Sequence, residues 1–411
     1  MHIVVVNRWP RFSDGARWDN ELTRYEEFID HVANRVSYIV DAGGAAGVLV
    51  DPTLIAHLEQ IEDVNDVDLL RAAVQRTVDR VGPVDSLIAL SEFTLGIAAR
   101  IREELGIAGP TIDEVARYRD KVRMKQVVAA AGIRAPRFAP CANADAVRDF
   151  ARRVGYPVVL KPVDGAASIG VHEVDDSAAL ERVLSAIDLS GYEVEEFVTG
   201  VIHHVDGYAG DDSQIAFQVV SRYVNDCLSF ATGAPLGSVV LQCSPLRTRI
   251  EDFARRCVAV LGLRTTPFHL ELFLTPAGDL VFLEIGGRVG GGDVPHLLNK
   301  LFGVNLYEMW LRALAGQPIT PPVKNGDPSG GWLIVPKPDR TVRVVTAGSM
   351  RAELPMIWRE LIPAPGEVLA PGGAYDALHS GRFIVLHDNE QVAETGIRKI
   401  IDNFCFEAVP L

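Results

Sequence analysis

The stretch His269–Gly292 reads HLELFLTPAGDLVFLEIGGRVGGG, and it constrains this chain more than any other. Two runs of alternating apolar residues flank TPAGD, and Pro, Gly and Asp clustered between such runs predict a hairpin. With the turn centred between Ala277 and Gly278, Glu271 lies directly opposite Glu284. Residues paired in this way have Cβ atoms roughly 4.5–5.5 Å apart, and like charges repel at that distance.

Two carboxylates that face each other on apolar strands need a partner. A hard divalent cation such as Mg²⁺ is the simplest candidate, because it takes oxygen ligands. Arg288 follows Glu284 by four residues and reaches the same side if the chain stays extended. A metal beside a fixed cation suits phosphate chemistry. The alternative is a surface hairpin with solvated glutamates, and the rest of the chain has to decide.

The size and charge of the chain narrow its class. At 411 residues it exceeds a single hydrophobic core, so we expect several domains. The hydrophobic content of 48% and charged content of 23% are ordinary for a globular protein. A net charge of −14 argues against binding to nucleic acid or to acidic membrane surfaces. It leaves room for a small anionic ligand in a local basic pocket.

The five cysteines are scattered and form no CxxC pair, which favours a reducing compartment. The opening MHIVVVNRWP lacks the basic and apolar regions of a signal peptide. No apolar run is long enough to span a bilayer. We therefore expect a cytoplasmic protein.

Residues 1–110 alternate between strand and helix patterns, which predicts a doubly wound parallel sheet. Ser91 and Glu92 follow a strand at its carboxyl end, where such sheets bind ligands, although ordinary loop residues occur there too. No G-x-G-x-x-G follows the first strand. The predicted strands are Ile3–Val6, Val36–Val40, Gly47–Val50 and Ser86–Leu90, and the predicted helices are Glu21–Asn34, Val67–Arg80 and Thr94–Leu105.

A long helix is predicted over residues 112–131, and Lys121 and Lys125 share one face of it at i,i+4 spacing. Such a pair is commonly a solvated face, and the alternative is a pair that faces a ligand. Another lysine, Lys161, lies near the end of the predicted strand Pro157–Pro162.

The loop VDGAASIG, residues 163–170, follows that strand. Its glycines Gly165 and Gly170 allow tight turns, and its exposed N–H groups can cradle phosphate oxygens. The loop lacks GKS or GKT and is not a Walker P-loop, and a plain turn is the alternative. Further on, Glu195-Glu196-Phe197-Val198 ends a strand whose extended edge can read the donor–acceptor edge of an adenine.

Taken in order, these motifs resemble the ATP-grasp superfamily and its carboxylate–amine ligase branch, which includes L-amino-acid (dipeptide) ligases. The resemblance implies an α/β (α+β) ATP-grasp fold with an N-terminal doubly wound pre-ATP-grasp domain and a C-terminal β-rich subdomain. The expected divisions are a pre-ATP-grasp domain at 1–111, a small lobe at 112–198, a large lobe at 199–322 and the subdomain at 323–411.

The resemblance also implies roles for individual residues. Arg288 would neutralise charge on an acyl phosphate, as a positioned cation does in phosphoryl transfer. The expected ligands of ATP are Lys121 and Lys161 for its phosphates or adenine edge, Ser168 in the lid, and Glu195, Glu196 and Val198 for adenine. The expected ligands of Mg²⁺, or of Mn²⁺ in its place, are Glu271 and Glu284.

This chain departs from the family pattern at two positions. Gly286 stands where the family has the asparagine of a Glu-x-Asn metal motif, which leaves the number of metal ions open. Ile202 stands where a glutamate for the ribose is usual. His204 either faces the nucleotide instead or is a structural strand histidine.

The function implied is ATP-dependent joining of a small-molecule carboxylate to an amine, with amino-acid or peptide-like substrates. The strands of residues 214–243, with Arg222, Tyr223 and the loop 232–237, are expected to build part of the acceptor pocket. Arg222 could instead pair with an acidic residue. A homodimer is the default expectation. The alternatives are a carboxylase-like or phosphoribosylamine-ligase-like enzyme, or a non-catalytic ATP-binding regulatory protein.

Overall fold

The computed structural model describes residues 1–11, 20–165, 168–225, 227–231, 233–320, 322–323, 326–371 and 380–411. Their strands form four sheets. Among these residues, every helix is too short or too polar to cross a bilayer. Ala166, Ala167 and Thr232, which belong to the two loops predicted to face ligands, lie outside the described residues.

The N-terminal sheet is parallel, with strand order β3-β2-β1-β4, as predicted. Strand β1 buries Ile3 and Val5 in one core and Val4 and Val6 in another, so both sheet faces are covered. The elements of this part are β1 (His2–Asn7), α1 (Tyr25–Phe28), β2 (Arg35–Val40), α2 (Ala42–Ala45), a 3-10 turn (Pro52–Leu54), β3 (Ile55–Gln60), α3 (Val67–Val81), β4 (Ser86–Ala89) and α4 (Glu92–Leu105).

Two local predictions in this part were wrong. Residues 47–50 form no strand, and the third strand is Ile55–Gln60, whose side chains alternate between half-buried and exposed. It lies at the sheet edge, where one side meets solvent, so it lacks the continuous apolar run of a central strand. The helix expected at Glu21–Asn34 is only the single turn Tyr25–Phe28.

The next four-stranded sheet is antiparallel, with strand order β5-β8-β6-β7. The single helix predicted over 112–131 is two helices, because the side chain of Asp120 accepts a hydrogen bond from the Arg123 N–H and starts a new helix at Lys121. The elements are α5 (Ile112–Ala116), α6 (Lys121–Ala130), β5 (Phe138–Pro140), α7 (Ala144–Val154), β6 (Val158–Pro162), β7 (His172–Val174), α8 (Ser177–Ala186) and β8 (Tyr192–Glu196).

An eight-stranded antiparallel sheet forms the centre of the molecule, with strand order β13-β12-β9-β10-β11-β14-β18-β16. The predicted hairpin, β12 and β13, lies at one edge of it. The elements between residues 201 and 314 are β9 (Val201–Ala209), β10 (Ile215–Tyr223), α9 (Cys227–Ala231), β11 (Leu236–Val240), α10 (Pro245–Leu261), β12 (Thr266–Leu274), β13 (Leu280–Gly286), α11 (Val294–Phe302) and α12 (Leu306–Leu314).

The C-terminal residues contribute to two sheets. Strands β14, β18 and β16 continue the eight-stranded sheet, and β17-β15-β19 form a separate three-stranded one. The tail is therefore joined to the central sheet by backbone hydrogen bonds. Its elements are β14 (Ser329–Val335), β15 (Val342–Ala347), β16 (Ile357–Leu361), β17 (Val368–Leu369), β18 (Gly381–His387), α13 (Glu390–Asn403) and β19 (Phe406–Pro410).

Candidate active site

The two glutamates of the hairpin lie directly opposite each other, as the sequence predicted. Leu272 pairs with Phe282, whereas Glu271 pairs with Glu284, so Leu283 is an extra residue that forms a β-bulge. Without this bulge the partner of Glu271 would be Leu283. The bulge therefore brings the second carboxylate onto the face of the first.

The Glu284 carboxylate is surrounded by cations. Its Oε2 lies 3.2 Å from Nζ of Lys121. Burial alone would raise the pKa of Glu284, but Lys121, Lys161 and Arg288 outweigh burial and lower the pKa to about 2. Glu284 is therefore ionised at neutral pH and is a suitable oxygen donor for a hard divalent cation.

Lys121 joins the hairpin to the predicted phosphate loop. Its Nζ also donates a hydrogen bond of 2.6 Å to the backbone oxygen of Gly165, and its backbone N–H donates to the oxygen of Val163. The side chain is buried. Further along the loop, Ser168 is half-buried and has a φ of 56°, in the left-handed region. One lysine at the start of α6 thus contacts both the loop and a carboxylate of the hairpin.

Lys125 and Lys161 form a buried charge network with two glutamates. Nζ of Lys125 lies 2.5 Å from Glu193 and from Glu195, and Nζ of Lys161 lies 2.7 Å from Glu195. Burial raises the pKa of Glu193. At Glu195 the lysines outweigh burial and lower the pKa. The interpretation of Lys121 and Lys125 as a solvated face was wrong, since both side chains are buried.

The predicted adenine segment follows this network. Strand β8 ends at Glu196, and residues 197–199 continue beyond it outside the strand, with Val198 half-buried. The Glu196 carboxylate pairs with the side chains of Arg134 and Arg137. The backbone N–H of Glu196 donates a hydrogen bond to the backbone oxygen of Arg137. The Glu196 side chain therefore fastens the segment to residues 134–137.

Arg288 is held by a residue of the N-terminal domain. Its Nε donates a hydrogen bond to Oε2 of Glu92, the first residue of α4. Oε1 of Glu92 lies 3.3 Å from Nη1 of Arg119. A Cβ on Gly286 would lie 3.3 Å from Cγ of Arg288, tighter than most real contacts. Glycine at this position therefore gives the Arg288 side chain room beside Glu92.

His204 lies inside the eight-stranded sheet and is buried. Its Nδ1 is 2.6 Å from Oδ2 of Asp206 and its Nε2 is 2.6 Å from Oγ of Ser238, so protein groups engage both ring nitrogens. Asp206 also contacts His269 at 2.8 Å. Burial alone would lower the pKa of His269, but Asp206 outweighs burial and raises it to about 10.

The predicted acceptor residues separate in the structure. The Tyr223 hydroxyl donates a hydrogen bond of 2.8 Å to Oε1 of Glu271, which places it at the hairpin. Arg222 forms an ion pair with Glu394 of α13, which was the alternative expectation for it. The segment Gly290–Gly292 leads into α11.

Several residues of this site were missed from the sequence. Glu193 gave no signal, because its position does not stand out until β8 is placed beside α6. Lys125 was noted only for its spacing from Lys121, which did not reveal its partners. Asp206 and His269 did offer a signal. Asp206 lies two residues after His204 and His269 lies two residues before Glu271, and alternate residues of a strand share a face of the sheet.

Residues 154–295 match the family described as ATP-grasp domain. The whole chain also has the fold of a solved structure: the crystal structure of L-amino acid ligase from Bacillus licheniformis superposes with a TM-score of 0.74 at 16% identity, covering 100% of this chain and 98% of that one. Residues 154–295 are therefore an ATP-grasp domain, and the whole chain shares the fold of that L-amino acid ligase.

The chain is also similar to one amino acid ligase in sequence and to one carboxylase domain in structure. The chain is similar to the L-arginine-specific L-amino acid ligase of Bacillus subtilis, with 24% identity over 267 residues that make up 61% of this chain and 62% of the relative. It also superposes on the biotin carboxylase domain of Hydrogenobacter thermophilus 2-oxoglutarate carboxylase, solved with Mg-ADP and bicarbonate. That match has a TM-score of 0.68 at 17% identity and covers 99% and 91% of the two chains.

Proposed function

We propose that this protein is an ATP-dependent carboxylate–amine ligase that forms an amide bond through an acyl phosphate and releases ADP and phosphate. The observation that carries the proposal is the opposition of Glu271 and Glu284, with Lys121 and Arg288 beside them, in an ATP-grasp fold. Two opposed carboxylates can bind a divalent cation, and lysine and arginine side chains beside them can bind phosphate oxygens.

The chain offers groups for each part of ATP. Lys121 and Lys161 contact the phosphates, and the loop with Ser168 covers them. The backbone at Glu196–Val198 reads the adenine edge, while Glu195 orients Lys161. In the structure these lysines are neutralised by carboxylates, which the phosphate oxygens replace when the nucleotide binds. His204, with both nitrogens engaged inside the sheet, is not among the nucleotide ligands that we propose.

The chemistry has two displacements. An oxygen of the substrate carboxylate attacks the γ-phosphorus, the bond to the bridging oxygen breaks, and ADP leaves. The amine nitrogen then attacks the acyl carbon, loses a proton, and expels phosphate. Arg288 stabilises the negative charge that accumulates at both steps. Glu271 and Glu284 would hold a divalent cation, which would neutralise charge on the phosphate oxygens.

The substrate class we propose is amino acids or peptide-like molecules. Similarity to ligases named for L-amino acids supports it. Tyr223, the last residue of β10, contacts Glu271 of the hairpin across β9 and provides part of one wall of the acceptor side. Backbone amides of Gly290–Gly292, before α11, are placed to hold an anionic group.

The test is phosphate release from ATP and Mg²⁺ with panels of carboxylic acids and amines, followed by product mass. We expect release that requires both substrates and is lost in E284A. The control is D279N, at an exposed position in the turn of the same hairpin. Equal release by E284A would overturn the proposal. ADP formation that depends on bicarbonate would favour a carboxylase, and tight ATP binding without ADP formation would favour a regulatory protein.

A further inference from the structure

A row of buried polar side chains runs across strands β9 and β12 behind the hairpin. His204 is in register with Glu271, and Asp206 is in register with His269. All four residues are less than a tenth exposed. Residues in register share a face of the sheet, so these groups form one layer that ends at Glu271.

The hydrogen bonds of this layer run in one line. Asp206 accepts from His204 through Oδ2, at 2.6 Å, and from His269 through Oδ1, at 2.8 Å. The other nitrogen of His269, Nε2, lies 3.3 Å from Oε1 of Glu271. The same Oε1 accepts from the Tyr223 hydroxyl. An imidazole between two carboxylates donates from both nitrogens as the imidazolium.

The segment after Arg288 packs directly on this line. A Cβ on Gly290 would lie 2.2 Å from Oδ1 of Asp206 and 3.1 Å from Nδ1 of His269, so a larger residue would displace them. The Asp206–His269 pair therefore lies between Glu271 and the glycine segment, in contact with both. Its position depends on the same segment that carries Arg288.

The three groups His204, Asp206 and His269 could also be read as a metal site, since their ligand atoms lie within 4.8 Å of one another. The separations of 2.6 and 2.8 Å argue otherwise, because they are direct hydrogen bonds. Tetrahedral ligands about 2.0–2.1 Å from Zn²⁺ would be roughly 3.3 Å apart. Hydrogen bonding alone accounts for this cluster.

We infer that His269, fixed by Asp206, is a positioning residue that holds the Glu271 carboxylate in the orientation that binds a divalent cation with Glu284. The inference rests on the proposed function for its metal. A glutamate side chain has three rotatable bonds, and two hydrogen bonds to one oxygen restrict how its carboxylate turns. Groups that orient metal ligands in this way typically change metal affinity 10–100-fold when removed.

The experiment measures metal binding without turnover. Mn²⁺ is titrated into the full-length protein by electron paramagnetic resonance, with a non-hydrolysable ATP analogue present. We expect H269Q and D206N to raise the Mn²⁺ dissociation constant about tenfold or more. H31Q is the matched control: His31 is a buried histidine bonded at both nitrogens in the N-terminal domain, and its loss should leave Mn²⁺ affinity unchanged.

Wild-type Mn²⁺ affinity in folded H269Q and D206N would overturn the inference. If H269Q does not fold, D206N decides alone, because it keeps the shape of the side chain. E284A separates this inference from the proposed function. Weakened Mn²⁺ binding in E284A, H269Q and D206N, combined with no amide product from any substrate pair, would support the inference and overturn the ligase activity. Unchanged Mn²⁺ binding in E284A would overturn the metal site and the inference with it.

Discussion

Glu92 and Arg288 lie 196 positions apart in the chain, and the Arg288 guanidinium donates a hydrogen bond to the Glu92 carboxylate. Glu92 starts α4 in the N-terminal domain, and Arg288 follows the hairpin of the central sheet. The N-terminal domain therefore sets the direction of the cation that we propose acts on the acyl phosphate.

Replacing Glu92 with glutamine should lower the turnover of the proposed ligase reaction about tenfold or more, since a misplaced catalytic group is costly even when it is retained. The glutamine keeps the size of the side chain but loses the charge that holds Arg288. Phosphate release at saturating substrates measures the effect. The control is E104Q, on the same helix as Glu92, where the glutamate forms an exposed ion pair with Arg71 of α3. It should leave turnover unchanged. Equal turnover in E92Q and E104Q would refute the role of Glu92.

Lys121 contacts both Glu284 and Gly165, so its loss should weaken the binding of ATP. We expect K121M to raise the KM for ATP about tenfold or more, because a hydrogen bond to a charged group contributes about 1.5–3 kcal/mol. Initial rates against ATP concentration provide the measurement. K399M, at an exposed lysine of α13, is the control. A KM in K121M equal to that of K399M would exclude the proposed contact with phosphate.

The fully buried Lys125 should be essential for stability. K125M leaves Glu193 and Glu195 facing each other without this cation, and breaking a buried ion pair costs about 3–5 kcal/mol. Urea denaturation measures the free energy of unfolding. The double variant K125M/E193Q should recover part of the loss, because it also removes a buried charge. No recovery would show that the packing of Lys125, rather than its charge, is what stabilises the fold.

His203 should make the stability depend on pH. Burial lowers its pKa from about 6.5 to about 4. Between these two pH values His203 binds a proton in the unfolded chain but not in the folded chain. The contribution of His203 to the free energy of unfolding is therefore complete above pH 6.5 and is lost as the pH falls toward 4. It amounts to about 3 kcal/mol.

H203Q removes this titration. The difference in unfolding free energy between pH 7.5 and pH 4.5 should therefore be smaller in H203Q than in the wild type, as urea titrations at the two values would report. An equal difference in both proteins would assign the acid sensitivity to other groups.

Sequence patterns predicted the strands and helices with continuous apolar faces, and they predicted the opposition of Glu271 and Glu284. The turn, however, is displaced from its predicted centre, since Leu274 pairs with Leu280, and the bulge at Leu283 restores the predicted pairing. A bulge is defined by the partner strand, and one sequence alone does not contain that partner. The sequence therefore predicted the correct pairing of the two glutamates but not the bulge that produces it.

The buried lysines show a different limit. Spacing placed Lys121 and Lys125 on one face, but what covers that face depends on where residues 163–165 and 193–195 pack against the helix. His204 likewise found its partners on strands that the sequence could not put in register. Charged residues become buried only when their counter-charges arrive from distant segments, and local patterns do not report that.

The bulge at Leu283 has a consequence for changes in length. Pro276 and Ala277, at the hairpin tip, are exposed and lie on the far side of the bulge from the glutamates. Extra residues at the tip would lengthen the loop and would not change which face of the sheet each side chain of the two strands points to. Removing the single residue Leu283 would make the ladder regular, with Phe282 still opposite Leu272 and Glu284 still opposite Glu271. The hairpin thus tolerates extra residues at its tip, and the opposition of the two glutamates is kept even when the bulged residue is lost.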